Sequence, residues 1–139
     1  MFASILTPVL VLISWTLVVW IWMYATRLPA MQAAKIDPQE AAHPGSYADR
    51  LPSNVRAVAD NYNHLHEQPT IFYALCFYSQ LAGSHDAVAI GLAWAYVALR
   101  VAHSLVQGTI NLVVARFALF ALGSLTLIAL AVKNLIALV

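Results

Sequence analysis

Arg56, Asp60, Asn63 and Glu67 stand four, three and four residues apart, in a stretch that runs directly into the apolar segment Pro69–Leu81. At 100° per residue, Asp60 lies about 40° from Arg56, Asn63 about −20° and Glu67 about 20°, so one helical face carries all four. His64 and His66 fall about 80° to either side of it. The pattern recurs downstream, where Tyr96, His103 and Gln107 lie about −40°, −60° and −20° from Arg100. Arg116 follows at the start of a further apolar run. Ionisable groups in apolar segments are expensive, face an interior or a wet cavity, and mark function. The arrangement therefore predicts a polar cavity able to hold a ligand. A purely structural network of the same residues is the competing reading. In it Arg100 pairs with Asp60 or Glu67, Asn63 and Gln107 bond between helices, and Arg116 snorkels to the interface. No metal site is expected, because His64 and His66 diverge by about 200° and cannot chelate one ion from a regular helix.

These residues need elements to hold them, and composition says which kind. The chain has 139 residues, of which 62% are hydrophobic and 9% charged, far below the roughly one quarter charged in soluble domains. It is an all-α integral membrane protein. A net charge of +1 and the lack of a basic stripe exclude nucleic acid. Cys76, the sole cysteine, excludes an internal disulfide and reads as a packing residue. The N-terminal apolar run has no positive flank and exceeds the roughly 7–15 residues of a signal-peptide core, so it reads as a retained span.

Spans of about 20 apolar residues are expected at 4–28, 54–81, 87–107 and 112–134, giving a single four-helix membrane domain over 1–139. The apolar part of the second is too short to cross alone, so one helix is expected from about Asn54 to Leu81, capped by Ser53. Gly108 is expected to stop the third helix and Asn111 to cap the fourth. Loop 29–53 carries Pro29, Pro38, Pro44, Gly45 and Pro52 as breakers, and its acids Asp37, Glu40 and Asp49 read as a solvated surface. Lys35 and Arg50, flanked by Arg27 and Arg56, make this loop cytoplasmic by the positive-inside rule, with both termini on the opposite side.

Four spans, a long first loop, RAVADNYN from Arg56 to Asn63, the following Pro69, and RVAHS at 100–104 with Arg116 beyond it resemble the MAPEG family. These are the membrane-associated proteins of eicosanoid and glutathione metabolism, and the likeness is to a divergent, bacterial-type branch in the inner membrane. It implies a homotrimer with glutathione bound between subunits near the cytoplasmic side, meeting a lipophilic substrate from the bilayer among membrane lipids. Members conjugate glutathione to electrophiles, reduce lipid hydroperoxides or isomerise lipid endoperoxides. Carried over by position, Arg56, Asn63 and Arg100 contact glutathione, with His103 in the same polar layer. Asp60 or Glu67 meets the tripeptide amine, and Arg116 sits at the thiol. A thiol of ordinary pKa near 8.5 needs such a cation to become thiolate at neutral pH. The chain departs from the family pattern at Ala59, where a second arginine is usual, at His66, whose usual glutamate reappears as Glu67, and at Gln107, which replaces a tyrosine. Ala59 and Gln107 favour the alternative: a non-catalytic protein of this fold that binds a lipid or stabilises a larger membrane assembly. A transporter has little support in four short spans.

Overall fold

The computed structural model describes residues 4–43 and 45–139; Pro44 lies outside them. Every regular element among the described residues is helical: α1 (Leu6–Ala33), α2 (Ser53–His64), α3 (Gln68–Leu81), α4 (Ala87–Gly108) and α5 (Val113–Ile136), with short 3-10 turns at Pro38–Ala42 and Ala48–Arg50. Helices α1, α4 and α5 are long and apolar enough to cross a membrane.

Helix α1 does not stop at Pro29. A proline in the last turns forfeits its own bond to the carbonyl four residues back, and α1 absorbs that loss and runs on to Ala33. Its real stop is a Schellman motif. Lys35 takes a left-handed φ of 52°, its N–H donates to the Gln32 carbonyl, and the Ile36 N–H donates to Met31. Ile36 then packs back on Met31 in the hydrophobic contact that accompanies such caps. The loop beyond is ordered rather than merely solvated. Ile36, Tyr47, Leu51 and Val55 form a small apolar cluster, Glu40 pairs with Arg50 at 2.6 Å and Asp49 with Arg56 at 3.7 Å.

The segment expected as one helix over 54–81 is two. Pro69 has no N–H to give the Leu65 carbonyl, so one continuous helix would leave that acceptor unpaired. The last turn of α2 accordingly tightens, with His66 N–H on Asn63 and Glu67 N–H on His64. Glu67 leaves helical geometry at ψ −101° before α3 begins. Helical phase therefore does not carry from Arg56 to Glu67. Ser53 is the first residue of α2 rather than its cap; Pro52 holds that place without a side-chain bond.

Helix α4 packs against both α1 and α5. Ile5 together with Val9, Leu12 and Val19 of α1 meets Phe72 and Cys76 of α3, Ala93 and Val97 of α4, and Leu130 of α5 in one apolar core. The α4–α5 turn also differs from expectation. Asn111 does not cap α5, where Leu112 holds that place; it occupies a left-handed φ of 48°, a conformation asparagine tolerates, and its N–H donates to the Val106 carbonyl in the last turn of α4 at 2.7 Å. Gly108 is needed for a closer reason than stopping a helix: a Cβ there would lie 2.5 Å from the Trp22 indole.

Candidate functional site

Three polar runs meet where α2 breaks. A cavity of about 240 Å³ is lined by His64 at the end of α2, Glu67 in the joint, Gln68 at the start of α3, Arg100 and His103 of α4, and Arg116 of α5, with Val113, Phe117 and Phe120 as its apolar wall. Arg100 is only 4% exposed. Its Nη1–H donates to His103 Nδ1 at 3.1 Å. A guanidinium can only donate, so Nδ1 accepts and the imidazole carries its proton on Nε2. The His103 ring stacks on His64 at 6.1 Å and leans on Phe120. Arg100 Nε is buried and bonded to nothing among the described residues, leaving a charged donor free for an anionic acceptor. Arg116 is half-buried, and its Nη1 donates to Asn111 Oδ1 at 2.5 Å.

Arg56, Asp60 and Asn63 do not join this cavity. They line a larger, neighbouring one of about 590 Å³ beneath the ordered loop, with Arg27, Tyr47 and Asn111. Arg27 donates to the Tyr47 hydroxyl and lies 5.2 Å over that ring. Asn111 links the two spaces, lining the larger and holding Arg116 of the smaller. The single stripe read from helical phase is thus divided, because Glu67 lies beyond the break. Gln107 lines neither cavity; it is 1% exposed within the packed interior.

Gln68 was not anticipated. It accepts from the Tyr96 hydroxyl at 3.3 Å and donates to Ser124 at 2.8 Å, tying α3 to α4 and α5 at the cavity. Its only signal was its place before Pro69, where a helix start leaves a polar side chain at the joint. Nor was Asn61, whose amide is wholly buried on the inner side of α2.

An all-helical membrane protein with two arginines from adjacent helices facing one small cavity is the class that fold and site define. The chain belongs to the MAPEG family, whose sequence model matches residues 5–136. No curated protein and no solved structure matches it significantly.

Proposed function

We propose that this chain is a membrane-bound glutathione-dependent transferase or peroxidase acting on lipophilic electrophiles or lipid hydroperoxides, working as a homotrimer of four-span subunits in a bacterial inner membrane with the loop cytoplasmic. One observation carries the reading. Arg100 and Arg116 reach one cavity from α4 and α5, and Arg100 keeps a buried N–H without a partner among the described residues. Such a donor set fits an anion, and family membership makes glutathione its first candidate. Glutathione supplies a thiol that, once ionised, attacks carbon in conjugation or oxygen in peroxide reduction. Arg116, oriented by Asn111, holds negative charge at the sulfur. Arg100 takes a carboxylate, and His103 offers its Nε2–H toward the bound ligand. Glu67 receives the amine. Arg56, Asp60 and Asn63 serve the part of the tripeptide that extends into the larger space, since about 240 Å³ is below the roughly 300–1,000 Å³ usual for small-molecule sites. Phe117 and Phe120 form the wall on which an apolar substrate arrives from lipid.

Calorimetric titration of reduced glutathione into the detergent-purified protein tests this, with Arg100→Ala as control. Saturable heat lost in the variant supports the reading. No heat at millimolar ligand from an intact oligomer overturns it. That result would favour the second reading, a non-catalytic lipid-binding or assembly-stabilising protein, for which Ala59 and the burial of Gln107 away from both cavities speak.

A further inference from the structure

Two carboxamides are buried in the interior with hydrogen-bonding capacity that no described residue uses. Asn61 is 0% exposed and neither Oδ1 nor Nδ2 has a partner; Gln107 is 1% exposed and its Oε1 has none. They belong to packed faces of neighbouring helices, with Val58 beside Asn61 on α2 and Ser104 beside Gln107 on α4. Their heights agree. The stacked rings of His64 and His103 hold α2 and α4 level at one point. The chain enters α2 from the loop and leaves α4 toward it, since Asn111 lines the same cavity as Tyr47. Asn61 is three residues before His64 and Gln107 four after His103. At 1.5 Å per residue both amides therefore lie displaced toward the loop, by about 4.5 and 6 Å. Native interiors satisfy nearly all such groups.

We propose that Asn61 and Gln107 together hold one or two buried water molecules between α2 and α4, at a site distinct from both cavities. The complementarity is chemical. Two carbonyl acceptors and one NH2 donor match the two O–H groups and two lone pairs of water, which makes about three bonds when buried. A cation is disfavoured by the Asn61 NH2 and by the lack of a buried carboxylate on either helix. The site does not depend on what the cationic cavity binds.

The test is a structure of the full chain in lipid at a resolution that shows ordered water, together with thermal unfolding of Asn61→Leu, Gln107→Leu and the double variant. The expected density lies within hydrogen-bonding distance of both amides. Each single variant should lower the melting midpoint by about 2–8 °C, and the double variant by less than the sum, because removing both partners leaves nothing unpaired. A direct Asn61–Gln107 bond in place of water density overturns the proposal, as do additive losses. If a leucine variant does not fold, the wild-type density decides alone.

Discussion

Asn111 does two jobs that a pair of substitutions separates: it supplies a left-handed backbone and it holds Arg116. Asn111→Gly keeps the first and removes the second. If Arg116 serves a thiolate, thiol-dependent turnover should fall by about 10–100-fold while the melting midpoint barely moves. Arg116→Ala should cost more, about 10²–10³-fold, as loss of a charge-stabilising donor does. Steady-state assays beside thermal melts distinguish these from misfolding. Gly108→Ala belongs to packing instead. Its Cβ would meet the Trp22 ring at 2.5 and 2.7 Å, and overpacking of this kind costs about 1–3 kcal/mol, readable as a lowered midpoint. The convergence of Arg100, His103 and Arg116 was legible because their spacing lies within regular α4 and at the start of α5. Asn61 was not, since a polar residue one step from the exposed Asp60 gives no sign in sequence that it points inward.

At the ends of elements, sequence reasoning failed where a rare conformation replaced a common signal. Pro29 advertised a helix end that the backbone ignored, while the true stop used Lys35 where glycine is the usual residue. Lys35→Gly should therefore raise stability by about 1 kcal/mol, relieving the left-handed strain, as measured by denaturant unfolding. The turn before α4 carries a different dependence. Asp86 accepts from the Ala89 N–H at 3.0 Å and pairs with Lys133 at 2.7 Å. The Lys133 ammonium, followed by the Ala89 N–H, holds its carboxyl below the ordinary 3.8. Its contribution is thus full above about pH 4 and is lost as pH falls through the lowered folded value. Thermal melts between pH 3 and 7 should show wild type losing an increment that Asp86→Asn never has. The break at Pro69 was equally readable in principle, but the need to reach across a bilayer argued for one continuous helix, and one continuous phase then misplaced Glu67.

The described chain presents apolar side chains over much of α1 and α5, including Leu10, Leu17, Ile21, Phe117, Leu125 and Ile128, as lipid contact requires. Arg56, Asp60 and Asn63 are also exposed, and under the proposed assembly a neighbouring subunit covers them. Cross-linking in native membranes should then stop at three copies, and Arg56→Glu should reduce the trimer; a ladder ending at one copy would exclude it. The joint at Leu65–Glu67 reaches furthest of all these features. Helices α2 and α3 have 12 and 14 residues, roughly 18 and 21 Å, each short of the roughly 30 Å hydrocarbon core. Whether they cross in tandem sets the parity of the whole chain. An even number of crossings returns the C-terminus to the compartment of the N-terminus; an odd number parts them. Compartment-sensitive reporters fused to the two ends read that parity directly. Matching signals mean that the jointed pair passes through the membrane as one unit, and opposite signals mean that it turns back on the side where it began.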